Sequence, residues 1–430
     1  MRICGRANVL QPSAGLSKAA VAGRAMPHDA WPDSTVRLAL DGYRFIGNRR
    51  RALDTDIFAC RLLLRRTVCV GGPGAAEFFY DTALFRRRGV APRRILKTLL
   101  GEGGIHGLDG AEHRSRKAMF LSFMGPQAVD GIRDLMQRHW SAGVAGWKGQ
   151  PVPVFERSQL ILFQALAEFA GIPLARGDAP ARAADLAAMV DAFGGLGPRY
   201  WKGRLARVRS ETWMQGMIRG VRDGDIEARS GTALAVIARY RQADGSLLDD
   251  ATAAVELLNV IRPIMAAAYF IEFAALMLGR NPQLRDEIAG DDVSREHFIN
   301  EVRRLCPFTP FLGAETCRDV DFDGFVIPAG TLTVLDVYGI HHDDRIWPNA
   351  ERFDHTRFRN RGDDTYTLIP QGGGEHRSGH RCAGEWLTME ALHAATRALA
   401  RSSYGAAGDG EFDLARIPSR LKRPLVLEVA

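Results

Sequence analysis

Cysteine is scarce in this chain. Six are spread over 430 residues, at Cys4, Cys60, Cys69, Cys306, Cys317 and Cys382, with no CxxC or CxxCH pair. That spacing excludes a zinc ribbon, a thioredoxin-like dithiol and a covalent c-type haem, and the density is too low for a disulfide scaffold. Long apolar runs are missing too. The most apolar stretch, residues 264–278, contains Glu272 and follows Arg262, so it is too short and too charged to span a bilayer. The N-terminus lacks the apolar run of a secretory signal. Residues 1–25 hold Arg2, Arg6, Lys18 and Arg24 and no acid. They are read as an extension, disordered or set by a misassigned start, ahead of one domain over 26–430, and the protein is placed in the cytoplasm. Repeats, low-complexity tracts and clear linkers are absent. Excess charge is small: 57 Lys+Arg against 50 Asp+Glu give +7, and residues 26–430 alone carry +3. With no basic, aromatic-rich signature, nucleic acid is not expected as a partner.

What the chain does have is apolar bulk, 46% of its residues, enough for a large core. From about 40 to 75 the pattern is strand-like: Tyr43 to Ile46, Ile57 to Cys60, and Arg61 to Val70, closing at the Gly71-Gly72-Pro73 turn. Helical periodicity then dominates. Helices are expected from Pro126 to about Trp147, around 160–170, 178–195, 203–225 and 229–240, over 294–306, and from about Gly384 to Ala400. Short strands are expected near 325–327 and 331–334. The longest helical pattern runs from about 249 to 279, capped by Asp249 or Asp250 and ended by Gly279. At 1.5 Å per residue it would be roughly 45 Å long and should cross the middle of the domain. The fold class is mainly α with small β-sheets.

Chemistry concentrates in Pro370-Gln-Gly-Gly-Gly-Glu-His-Arg-Ser-Gly-His-Arg-Cys-Ala-Gly-Glu385. Five glycines fall between 372 and 384 and let a backbone approach something flat. Cys382 stands just before a helix, where free N–H groups and the helix dipole favour a thiolate. Such a thiolate suits an axial ligand to haem iron. The other reading of the same residues is a buried thiol beside a flexible loop.

This segment resembles the cysteine-ligand loop of a cytochrome P-450. Glu301-Val-Arg-Arg304 resembles the ExxR pair of that family. Pro348-Asn-Ala-Glu-Arg-Phe353-Asp-His-Thr-Arg357-Phe358 resembles the meander that adds an Arg to the pair, and the 249–279 helix resembles the one that crosses the haem face. The resemblance covers nearly all of 26–430. It also has departures. Glu375 stands where the family pattern has Phe, and Ser378 where it has Gly. The central helix reads Leu257-Leu-Asn-Val-Ile-Arg262-Pro263, with no acid–alcohol pair for delivering protons. The Arg-Pro motif and the Gln-Gly-Gly-Gly…Gly-His-Arg-Cys loop are similar to the fatty-acid peroxygenase branch. Ala383 replaces the Pro common there. Gly104-Ile-His106-Gly-Leu-Asp109-Gly-Ala-Glu-His113 resembles the branch's loop entering the helix that covers the haem.

The resemblance implies haem b (iron protoporphyrin IX), held between the central helix and the cysteine loop, with Cys382 as iron ligand. It implies hydrogen peroxide as co-substrate, a long-chain fatty acid as substrate, and no required redox partner. Arg262 would grip the carboxylate, which a buried Arg needs, with Pro263 kinking the helix there. The carboxylate would serve as general acid–base for peroxide. Hydroxylation at Cα or Cβ, or decarboxylation to a terminal alkene, would follow, with His106 beside the substrate. Arg87, His113, Lys117 and His380 are candidates for haem propionates. Leu99, Leu100, Phe308 and Phe311 are candidates for the alkyl tunnel. Arg262 could instead be a structural Arg paired with Glu256 or Glu272. Two other functions compete: a monooxygenase that depends on redox partners, and a non-enzymatic haem or fatty-acid binder.

Overall fold

The computed structural model describes residues 25–429 apart from Pro126, Gln127, Asp363, Gly408 and Asp409. Residues 1–24 of the expected extension, and Pro126 as a helix start, therefore lie outside the described residues. Helices carry most of the chain, and three small sheets sit at its edges. In the five-stranded sheet the order is Ile57–Leu62, Arg65–Val70, Leu332–Leu335, Leu312–Thr316, Phe85–Arg86. Its pairs are antiparallel except that Thr67 to Val70 runs parallel to Leu332 to Leu335. A parallel pair needs a long crossover, and here most of the helices lie between the two strands in sequence. A second sheet joins Pro151–Pro153, Val426–Val429 and Tyr404–Ala407, and Val320–Phe322 pairs with Phe325–Ile327.

Two strand expectations change. Tyr43 to Ile46 is helical: a 3₁₀ turn, Gly42–Arg44, runs into the helix Phe45–Leu53. Three residues of alternation cannot separate a strand from one helical turn. Phe45, Ile46 and Arg50 share the buried side at helical spacing. Arg61 to Val70 is not continuous either. Leu63 and Leu64 both adopt left-handed φ, 52° and 62°, and turn the hairpin. Turn residues such as Asn-Gly are absent. Support comes from outside the turn: Leu63 N–H donates to Thr35 Oγ1 at 2.6 Å and Leu64 N–H to Asp33 Oδ2 at 2.7 Å.

Helices Val154–Ala170, Ala179–Asp191 and Pro198–Asp223 pack on the central run, Gly110–Met124 reaches it through Arg116, and Val129–Ala145 packs on Val154–Ala170. That run is long and apolar, and 89% of its most apolar window is buried inside the protein, as expected of a core helix. It is interrupted at the Arg-Pro site. Asp250–Ile261 is α-helical, Pro263–Ala266 is 3₁₀, and Ala267–Arg280 is α-helical again. Pro263 has no N–H to give back to residue 259, so the regular ladder lapses there. Asp249 caps the start, accepting from Thr252 N–H at 2.9 Å and Thr252 Oγ1 at 2.7 Å. Asp249→Ala should lower unfolding free energy by about 1 kcal/mol in urea titration, the usual worth of a cap.

Candidate active site

Glu301 and Arg304 are wholly buried in helix Asp292–Leu305. Arg304 donates Nε and Nη2 to the two Glu301 oxygens at 2.7 and 2.8 Å, and Nη1 to the His341 carbonyl at 2.6 Å. Arg357 donates Nε to Glu301 at 3.0 Å, and Asp354 N–H adds a fourth bond at 2.8 Å. One carboxylate thus ties the helix to the 348–358 segment.

The residue before Arg304, Arg303, reaches the cysteine loop. Its Nη2 meets Gln371 Oε1 at 2.7 Å and Glu385 Oε1 at 2.6 Å. Glu385 also accepts from Arg381 Nε at 2.6 Å. Both flanks of Cys382 are therefore fixed by one acid at the start of helix Glu385–Ala400. Cys382 N–H donates to the Gln371 carbonyl at 3.0 Å, which closes the loop on itself. Gly372 and Gly374 hold φ of 92° and 80°, which favours glycine, and at Gly373 a Cβ would meet the Thr365 carbonyl at 2.6 Å; all three glycines lie beside Tyr80. Glu375 acts as a local cap, accepting from Arg377 N–H at 2.9 Å and Ser378 Oγ at 2.7 Å. Those bonds hold its pKa down to about 2. Burial pushes the Cys382 thiol up, and the Gly384 N–H opposes this.

Arg87, His113 and His380 gather around Asp109. The two imidazoles lie 4.1 Å apart, and His380 Nε2 is 3.5 Å from Asp109. The Asp109 carboxylate is spent on the backbone N–H groups of Arg87 and Arg88, at 2.9 and 2.8 Å. Arg87 Nη1 is buried with no hydrogen-bond partner among the described residues. Burial lowers its pKa to about 10, and lowers those of His113 and His380 to about 4 and 3. Arg87 also lies over the Phe79 ring, 4.2 Å from its centroid, and donates Nη2 to the Phe79 carbonyl at 3.4 Å, so its Nη1, beside two imidazoles, is the group left to receive a carboxylate. Lys117 stands one turn after His113, but its Nζ donates to the carbonyls of Gly379 and Arg381 and so braces the cysteine loop. Cys382, the glycine cradle and this cationic corner together fit an iron porphyrin with two propionates.

Arg262 ends the first half of the central helix and is 4% exposed. Neither acid considered as a structural partner is available. Glu256 is bonded to Arg116 Nη1 at 2.5 Å, and Glu272 lies 3.7 Å from Arg420. Among the described residues Arg262 makes no ion pair. Its one side-chain bond is Nη2 to Asn259 Oδ1 at 3.1 Å, and its Nε is buried without a partner. Burial, and then the Arg207 charge, lower its pKa to about 9, so it remains a cation at neutral pH. His106 sits in the 3₁₀ turn Ile105–Gly107. Its side chain is accessible at the surface of the described residues, although protein atoms crowd around it. Burial first, then Arg262 and Arg207, push its pKa to about 3, which leaves the ring neutral.

The alkyl-chain candidates divide. Leu99 and Phe308 pack against the main core, Phe308 also against the Tyr269 and Phe270 rings at 5.1 and 5.8 Å. Leu100 is half-buried beside Leu99. Phe311 packs elsewhere, against the cluster of Phe45, Phe58 and Val334. Arg116, Arg207, Glu256 and Asn259 carry no motif in the sequence, yet all four are buried around Arg262. Arg207 donates Nη1 to the Leu99 carbonyl at 2.7 Å and Nε to Glu211 at 2.7 Å.

The cytochrome P450 family model matches residues 295–399, which hold the Glu301–Arg304 pair, the 348–358 segment and the Cys382 loop. Among curated proteins, the chain is 36% identical over 100 residues to human cytochrome P450 4A11, covering 23% of this chain and 18% of that protein. It is 25% identical over 376 residues to the putative cytochrome P450 138 of Mycobacterium bovis, covering 80% and 82%. The chain thus matches less than a quarter of the length of relatives such as the human enzyme. Solved structures match along nearly the whole chain. Cytochrome P450SP alpha in complex with (R)-ibuprofen is 40% identical, with a TM-score of 0.89 over 93% of this chain and 99% of that one. Cytochrome P450EX alpha with myristic acid is 36% identical, TM-score 0.90, over 95% and 100%. A variant of cytochrome P450 OleT in complex with arachidonic acid is 34% identical, TM-score 0.91, over 95% and 99%.

Proposed function

The chain belongs to the cytochrome P450 family, in its fatty-acid peroxygenase branch, and we propose that it oxidises long-chain fatty acids with hydrogen peroxide, without a redox partner. One observation carries the reading: Arg262 is a buried cation with no acid to neutralise it among the described residues. Such a group is costly alone and is satisfied by a carboxylate brought in from outside. Two of the matched structures hold fatty acids, myristic and arachidonic.

Cys382 would hold a haem, with Arg87, His113 and His380 facing its propionates, and the haem would supply oxygen-atom transfer from peroxide. The chain's residues do the rest. Arg262 Nε has no partner among the described residues and Nη2 keeps a second N–H beside the one it gives Asn259, so the carboxylate can be taken side-on through Nε and Nη2 or end-on through Nη1 and Nη2. The pinned carboxylate then stands in for the acid that the central helix lacks. It takes the proton from one peroxide oxygen and returns it to the other. His106, neutral, is a donor or acceptor beside that head group rather than a competing cation. Leu99, Leu100 and Phe308 supply apolar surface for the chain. In hydroxylation, substrate C–H and hydrogen peroxide become C–OH and water. In decarboxylation, the acid and one peroxide become a terminal alkene, carbon dioxide and two waters.

The test is direct. Purified holoenzyme is mixed with myristic acid and peroxide, with no reductase or nicotinamide, and products are read by mass spectrometry. The reading expects hydroxymyristic acid or tridecene. No product from haem-loaded protein would overturn it.

A further inference from the structure

Arg262 is the last member of a hydrogen-bonded series that starts on another helix. Arg116, in helix Gly110–Met124, donates Nη1 to Glu256 Oε1 at 2.5 Å. Asn259 donates Nδ2 to the other oxygen, Glu256 Oε2, at 3.1 Å. Arg262 donates Nη2 to Asn259 Oδ1 at 3.1 Å. All four side chains are buried; exposures are 4% for Arg116, 0% for Glu256, 7% for Asn259 and 4% for Arg262. Residues 256, 259 and 262 fall one turn apart on one face of the central helix, so the series is built into a single helical stripe. Gly104 lies against it: a Cβ there would meet the Asn259 amide nitrogen at 2.9 Å.

The charges along the series are plus, minus, neutral, plus. Glu256 is consumed by Arg116. Because Asn259 gives its N–H₂ to Glu256, its oxygen must face Arg262, and the amide cannot flip without losing both bonds. The guanidinium is thereby held at one corner by a neutral acceptor, while its positive charge stays uncompensated. An acid three residues before Arg262 would hold it equally well but would neutralise it.

We propose that Asn259, oriented by the Arg116–Glu256 pair, is a positioning residue that fixes the Arg262 guanidinium while keeping its charge for the substrate's carboxylate, and so sets the preference for an acid over an uncharged head group. This rests on the reading of Arg262 given above.

The experiment is equilibrium dialysis of labelled dodecanoic acid and of 1-dodecanol against holoenzyme at pH 8, for the wild type, Asn259→Asp and Asn259→Ala. Wild type should prefer the acid. Asn259→Asp, nearly isosteric, should bind the acid at least about tenfold more weakly, because a fixed carboxylate now occupies the cation. Binding of the alcohol should be unchanged. Asn259→Ala removes the acceptor without adding charge and should lose about threefold to tenfold for the acid only, the ordinary net worth of one hydrogen bond, since the cation itself remains. A merely structural role would weaken both ligands together. If wild type shows no preference for the acid, the carboxylate reading of Arg262 itself fails. If wild type prefers the acid and both variants keep that preference, or if both ligands weaken in parallel, the positioning role is wrong.

Discussion

Arg262→Leu should reduce peroxide-driven turnover of myristic acid by about 100-fold or more. Two charge-assisted hydrogen bonds are lost, each worth about 1.5–3 kcal/mol, and each ~1.4 kcal/mol is a factor of ten. The loss should appear in both substrate binding and turnover, since the same carboxylate is held and used for proton transfer. The folded protein should not suffer. Arg262 is 4% exposed and makes no ion pair among the described residues. Leu removes an uncompensated buried charge, so the unfolding midpoint should stay level or rise. Loss of turnover with retained stability and retained haem marks the residue as functional. A collapse of the fold in Arg262→Leu would mark it as structural.

The reverse pattern is expected at Glu301. Its carboxylate accepts four hydrogen bonds, two from Arg304, one from Arg357 and one from the Asp354 N–H. Glu301→Ala leaves Arg304, wholly buried, without its anion. Breaking one side of a buried pair costs about 3–5 kcal/mol, against a total stability of about 5–15 kcal/mol for a folded domain. Urea unfolding should show that drop, and purified protein should carry less haem, because the Cys382 loop is anchored through Arg303 in the same helix. Glu301→Gln, which keeps the shape and two acceptor lone pairs, should lose less. Equal losses for Ala and Gln would mean that charge is what counts at this position.

Legibility from sequence followed distance along the chain. The Cys382 loop, the Glu301–Arg304 pair and Arg262-Pro263 are each contained within a few residues, so their residue types and spacing announce their chemistry. The break at Pro263 was expected because proline's missing N–H acts locally. Asp249 as cap was equally local. What partners Arg262 lacks or has was not legible. Arg116 and Glu256 are 140 residues apart, and no short-range pattern joins them. Glu256 and Glu272 looked like equal candidates for Arg262 until packing assigned each to another arginine. The Leu63–Leu64 turn was hidden for a similar reason: its support comes from Asp33 and Thr35, some thirty residues earlier. Phe311 shows the limit for apolar residues. Nothing in its neighbours tells which of two clusters it joins, and it joins that of Phe45 and Phe58. Lys117 reads in the sequence as a candidate for a haem propionate, one turn after His113, and the fold instead puts its Nζ on the Gly379 and Arg381 carbonyls.

The central claim is that Arg262 and a substrate carboxylate together replace the missing acid of the central helix. The measurement that tests it most directly is product formed per peroxide consumed by holoenzyme, with no reductant present, on myristic acid and on its methyl ester. The account predicts oxidised product from the acid and essentially none from the ester, which has the same chain but no ionisable head group. Equal product from both, or turnover of the acid only when ferredoxin, reductase and nicotinamide are supplied, would contradict it.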